Sequence, residues 1–157
     1  MTGITLRAGR LSDAAALATI HVESRTAAMP WLPVLQPLDD VVAYMAGTVL
    51  VHQQVWVAEA NGEPVGFAAV GGDMLNHLYI APEWQGRGVG GALLEAARSG
   101  RDRLELWVFQ RNRRARTFYE RRGFVLVKQT DGAGNQERTP DALYAWTAAG
   151  ADWRVAD

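Results

Sequence analysis

Four glycines fall within six residues, Gly86, Gly88, Gly90 and Gly91, between an alternating apolar run, MLNHLYIA, and a strong helix former, ALLEAAR. This stretch commits the chain to a strand, a glycine turn and a helix in succession, because the pattern changes from period two to helical period across the glycines. A plain turn needs one glycine; four weaken the helix start, so they must serve another purpose. The first turn of a helix leaves N–H groups unpaired, and the peptide dipoles add partial positive charge there. Glycine lets that backbone approach a phosphate with no Cβ in the way. The candidate anion contacts are the amides of Gln85, Gly86, Arg87, Gly88, Val89, Gly90 and Gly91, with the Arg87 side chain available for a charge-assisted bond.

The remaining pattern predicts elements on both sides of this unit. ITLRAG reads as a first strand. Ser12 or Asp13 is positioned to cap a helix running toward Pro30, with Leu17, Ile20 and Ser24 on one stripe. MPWLPVLQP holds three prolines and reads as a loop carrying Trp31. A second helix is expected from about Leu38–Asp39, including Val41, Val42 and Met45. QVWVAEA and PVGFAAV flank Asn61-Gly62, a strong hairpin signal. Beyond the glycines, RLELWVF is a strand, RRARTFYERR a helix stopped by Gly123, and FVLVKQT and ALYAWT the last strands. The order β-α-α-β-β-β-α-β-α-β-β implies an α/β (mixed) fold: one domain over residues 1–157, with a central, mostly antiparallel sheet of six or seven strands and about four flanking helices.

Composition narrows the chemistry. The chain has no cysteine, which excludes a cysteinyl acyl-enzyme, disulfides and thiolate metal sites. Its serines, Ser12, Ser24 and Ser99, lie in no G-x-S-x-G elbow. His21, His52 and His77 have no ligand spacing, so no metal is expected. No apolar run approaches membrane-span length, and MTGITLRAGR has neither the apolar stretch nor the cleavage site of a signal peptide, so a cytoplasmic location is expected. Residues 85–128 carry eleven Lys/Arg against four Asp/Glu, while the rest carries five against thirteen. An anionic partner for that region fits this asymmetry. Nucleic acid does not: Glu105 and Glu120 interrupt the arginines, and the pI is about 6.3.

The type of phosphate follows from what accompanies the glycines. No lysine stands where a Walker A loop needs one. Gly86-x-Gly88-x-x-Gly91 matches a dinucleotide fingerprint, but APEW separates it from its strand, and Glu105 lies inside a strand instead of at its end. Gln85-x-x-Gly88-x-Gly90 resembles the acetyl-CoA pyrophosphate loop of the GNAT superfamily of N-acetyltransferases. The resemblance extends over LYIAPEWQGRGVGGALLEAA and LWVFQRNRRARTFYERRGF, covers Leu75–Val127 closely, and reaches HVESRTAAMPWLPVL and TDGAGNQERTPDALYAW more loosely, in the manner of one uncharacterised subgroup.

That resemblance implies acetyl transfer from acetyl-CoA to a primary amine of a small molecule or peptide, by direct attack in a ternary complex. It implies that the pantetheine arm runs along the backbone of Leu78, Tyr79 and Ile80, that an N–H near Leu78 stabilises the oxyanion, and that Asn112 contacts the cofactor's amides. Tyr119 becomes the general acid, since a phenol is neutral at pH 7 and can protonate the leaving thiolate. Met74 stands where many members carry a glutamate base. Asp73, Glu23, Asn76 through a water, and His77 are the alternatives. Period-two counting puts Met74, Asn76, Leu78 and Ile80 on one strand face and Leu75, His77 and Tyr79 on the other, unless a bulge intervenes. The acceptor is expected between the loop of Trp31, with apolar walls from Leu32 and Met29, and the loop QTDGAGNQERTPD, with Asp131, Asn135 and Glu137; Asn76 completes the substrate-binding set. A non-catalytic acetyl-CoA or CoA sensor is the alternative function. The acceptor's identity and oligomeric state stay open, a homodimer included.

Overall fold

A computed structural model describes residues 3–34 and 36–148, and the chain divides into two compact units, Met1–Ala97 and Arg98–Asp157. In the first unit β1 (Ile4–Ala8), β2 (Gln54–Ala60), β3 (Glu63–Gly71) and β4 (Met74–Ile80) pair in that order, all antiparallel. Asn61 and Gly62 join β2 to β3 at φ 54° and 78°, the left-handed pair a two-residue hairpin turn demands.

α1 (Ala14–Ala28) buries the expected stripe of Leu17, Ile20 and Ser24. α2 (Leu38–Tyr44) continues through a wider π turn, Met45–Val49, into α3 (Leu50–His52). Met45 and Val49 are fully buried and share one core with Leu17, Val41, Val57 and Phe67. Neither Ser12 nor Asp13 caps α1, contrary to the sequence expectation. Asp13 is instead taken up by Arg7, at 2.7 and 2.8 Å, and by the Arg10 amide at 2.8 Å. Arg7 also donates to Glu59 at 2.8 Å, so one guanidinium ties β1, β2 and the turn before α1 together and holds the Asp13 carboxyl below its usual range.

A bulge changes the counting on β4. Ala69 pairs with His77 while its neighbour Val70 pairs with Leu75, which leaves Asn76 without a cross-strand partner. Period two therefore does not run through Asn76. Beyond it, Tyr79 faces Phe67 and α1, and Ile80 faces away from them. α4 (Val89–Arg98) buries Val89, Leu93, Leu94 and Ala97. It packs closely at Gly66, where an added Cβ would lie 3.0 Å from Ile80 Cδ1 and 3.3 Å from Leu93 Cδ1.

In the second unit β5 (Arg103–Phe109), β7 (Asp141–Thr147) and β6 (Val125–Thr130) lie in the order β5-β7-β6, again antiparallel. Leu104, Leu106 and Val108 are the buried face of β5, as their alternation predicts. α5 (Arg113–Glu120) begins at Asn112, whose Oδ1 accepts from the Ala115 amide at 3.3 Å. Gly123, at φ 90°, turns the chain after it. The fully buried Tyr144 fixes α5 to β7: its hydroxyl donates to Glu120 at 2.6 Å and accepts from Arg116 Nε at 2.9 Å. The whole is mixed α/β, with seven strands and, taking α2 through α3 as one, four α-helical segments among the described residues, and no helix among them is long and apolar enough to cross a membrane.

Candidate active site

The glycine loop is built from the end of β4 outward. The Ala81 amide bonds Val65 O at 2.9 Å, and Pro82–Trp84 make one tight helical turn closed by Trp84 N to Ala81 O at 2.8 Å. Gln85 N then donates to Pro82 O at 3.3 Å, so the expected set of amides is corrected at its first member: the Gln85 amide is already bonded. The Gln85 side chain donates from Nε2 to Ile80 O at 3.1 Å, which braces the loop against the strand.

From Gly86 onward the loop fits the anion reading. Gly86 and Gly88 sit at φ 76° and 85°, a region costly for a residue with a Cβ, and both are exposed. The first bond closing α4 runs from Ala92 N to Gly88 O at 3.1 Å. Among the described backbone bonds outside helices and strands none is donated by residues 86–91, as is usual for the amides at a helix start. Arg87 lies 4.8 Å over the Trp84 ring, a cation–π contact that keeps a guanidinium beside them.

β4 leads into this loop. Leu78 pairs with Ala68 and Ile80 with Gly66. Tyr79 and His77 turn toward α1, where the His21 ring lies 4.6 Å from Tyr79 and 5.6 Å from His77. The nitrogens His21 Nδ1, His77 Nδ1 and His77 Nε2 are buried with no hydrogen-bond partner. Burial, then the neighbouring His77 and the positive charge of Arg25, push His21 down to about 3; burial, then Arg25, push His77 down to about 4. Both rings are neutral at pH 7. Sequence reasoning missed the pair, because nothing in the pattern brings a mid-α1 histidine to a β4 histidine.

The other acceptor-side residues are less concentrated than expected. Glu23 is exposed on α1, Asp73 is exposed in the β3–β4 turn, and exposed Asn76 donates to Gln53 Oε1 at 3.1 Å. Trp31 is half-buried, while Met29 and Leu32 are buried and so serve the core more than an open wall.

In the second unit Tyr119 is buried, edge-on to Phe118 at 5.2 Å and Phe124 at 5.5 Å. Asn135 and Glu137 line one cleft of about 520 Å³, the size of a ligand pocket, together with Trp107, Phe109 and Asp141. Asn135 braces the loop: its amide donates to Thr139 O at 2.7 Å and Asp141 Oδ2 at 3.1 Å, and its carbonyl accepts from Thr139 N at 3.1 Å. Its side chain thus holds the loop together at the cleft wall.

Comparison with known proteins agrees with this geometry. A family model described as "Acetyltransferase (GNAT) domain" matches residues 51–126, from α3 to β6. The chain is 29% identical over 143 residues to the peptidyl-lysine N-acetyltransferase YiaC of Escherichia coli K12, covering 90% of this chain and 95% of YiaC. The solution structure of apo YjaB from Escherichia coli superposes with a TM-score of 0.76 at 26% identity, covering 93% of this chain and 99% of YjaB. The PaiA N-acetyltransferase of Thermoplasma acidophilum, solved in complex with coenzyme A, shares the fold, with a TM-score of 0.72 at 18% identity over 92% of this chain and 99% of that one. Residues 51–126 thus match an acetyltransferase (GNAT) domain, and the relatives this chain resembles are named N-acetyltransferases.

Proposed function

We propose that the protein transfers the acetyl group of acetyl-CoA to a primary amine, by direct attack in a ternary complex. The observation that carries this is the row of backbone amides over residues 86–91, exposed at Gly86 and Gly88 and without backbone acceptors, at the start of α4. Such a row meets a diphosphate through hydrogen bonds and dipole together. The coenzyme A bound to a protein of the same fold supports the choice of diphosphate. The likeness to YiaC, a peptidyl-lysine N-acetyltransferase, favours a peptidyl amine over a small-molecule one.

In this reading the amine nitrogen attacks the thioester carbonyl carbon. The N–C bond forms, the carbonyl oxygen becomes anionic beside the Leu78 amide, and the C–S bond then breaks. The leaving thiolate takes a proton from the Tyr119 hydroxyl. Asn112 uses its Oδ1 to cap α5, which leaves its NH₂ for the cofactor's carbonyls. The amine's surplus proton goes to an exposed carboxylate, Asp73 or Glu23. His77 is a poor alternative, since burial has pushed its ring down to about 4 and enclosed both nitrogens. Trp31, Asn76 and Glu137 are assigned to the acceptor.

The test is release of free coenzyme A from acetyl-CoA in the presence of lysine peptides, amino acids, polyamines and aminoglycosides. At least one amine should accelerate release well above the rate without acceptor. Tight binding of acetyl-CoA with no acceleration by any amine would instead identify a sensor.

A further inference from the structure

The cleft on the second unit has features that acetyl transfer alone does not call for. Its wall is rigid. Asp141 accepts from both Thr130 Oγ1 and Asn135 Nδ2, and Gln110 Nε2 donates to Thr130 O and Asp141 O, each at 2.9 Å. Its floor is aromatic, with Phe109 half-buried and Trp107 on β5 42% exposed. Its charge is of one sign: Glu137 and Asp141 line it, and no Lys or Arg is among the described lining residues. The Trp107 ring already attracts a cation. Lys128, the only lysine of the chain, holds its Nζ 5.7 Å from the ring centroid. That is the outer range of a cation–π contact, which a better-placed cation can replace.

We propose that this cleft recognises an alkylammonium group of the acceptor, stacked on Trp107 and neutralised by Glu137, distinct from the amine that becomes acetylated. The inference rests on the amine-acceptor reading above and adds to it a specificity element, with Trp107 and Glu137 determining the preference for acceptors carrying a second cation. The aromatic face and the carboxylate act on the same group from different sides, and each favours a cation over a neutral isostere. The hydrogen-bonding groups of Thr130, Asn135 and Asp141 are engaged with one another, so they shape the cleft and leave recognition to charge and ring face.

The test reads binding and not turnover. In ¹H–¹⁵N spectra the Trp107 indole signal is assigned by its loss in Trp107→Phe. Nα-acetyl-lysine amide should shift that signal, and its neutral isostere Nα-acetyl-norleucine amide at equal concentration should not. Glu137→Gln should weaken the lysine probe about fivefold, the scale of one exposed ion and ring contact. Gly134→Leu should abolish the shift by filling the cleft; Gly134 also lines it, and an added Cβ there meets no atom within 4 Å. Butane-1,4-diamine, run in parallel, tells a free polyamine from a peptide as the source: a shift with either cationic probe supports the ammonium assignment. Equal shifts with the lysine and norleucine probes would overturn the proposal. So would an unresponsive Trp107 in protein whose residue 86–91 amides still respond to acetyl-CoA, a result that leaves the transferase reading standing.

Discussion

The side-chain amide of Gln85 donates to the main-chain carbonyl of Ile80 at 3.1 Å, spanning the tight turn that leads from β4 into the glycine loop. Gln85 thus acts through position: it holds the first glycine at a fixed distance from the strand end while the amides beyond it stay free of backbone acceptors. Gln85→Ala should raise the Kd for acetyl-CoA about threefold to tenfold, the worth of one net hydrogen bond. Calorimetric titration checks this, and Gln85→Glu, which cannot donate to the carbonyl when ionised, should behave like the alanine variant.

Gly88 tests the backbone requirement separately. Its φ of 85° is strained for any L side chain, yet an added Cβ would meet no atom within 4 Å. Gly88→Ala should therefore cost about 1–2 kcal/mol of stability from conformation alone. It should also weaken acetyl-CoA binding, because the methyl group stands where the phosphate must approach. Thermal melts with and without acetyl-CoA separate the two effects.

Tyr119→Phe removes only a hydroxyl from a ring packed against Phe118 and Phe124. If the phenol protonates the leaving thiolate, kcat should fall about 10²-fold, the usual scale for a general acid, while acetyl-CoA affinity stays within twofold. Steady-state kinetics with the best amine of the panel gives both numbers.

The histidine pair makes stability depend on acid. His21 and His77 titrate near 6.5 when unfolded and at about 3 and 4 when folded, so below pH 6.5 the unfolded chain binds more protons. Their contribution is complete above about pH 6.5 and is lost as pH falls from there toward 4. His77→Phe should flatten that limb: the variant should lose less stability than wild type between pH 6.5 and 4.5 in urea melts read at fixed temperatures.

Much of this fold was legible because local chemistry decided it. Asn61-Gly62 dictated the hairpin, Leu17, Ile20 and Ser24 the buried face of α1, Asn112 the start of α5 and Gly123 its end. Tertiary choices were not legible. The bulge at Asn76 exists only in the pairing of β4 with β3, so counting along β4 could not find it. Asp13 has the composition of a helix cap, but Arg7 on β1 outbids the helix amides for its carboxylate. The engagement of the Gln85 amide and the meeting of His21 with His77 depend likewise on partners outside the local sequence. The glycine motif located the loop to which the anion role is assigned by proposal, whereas no motif marked Trp107 and Asp141 as neighbours of Glu137.

The most direct measurement is a titration of ¹⁵N-labelled protein with coenzyme A, followed through the backbone amide signals. The account predicts that the largest downfield shifts fall on Gly86, Gly88, Gly90 and Gly91, saturate together, and accompany a rise in melting temperature, since ligand at 100 times its Kd stabilises by about 2.7 kcal/mol. Saturable shifts confined to other parts of the chain, with those four glycine signals unmoved, would contradict it.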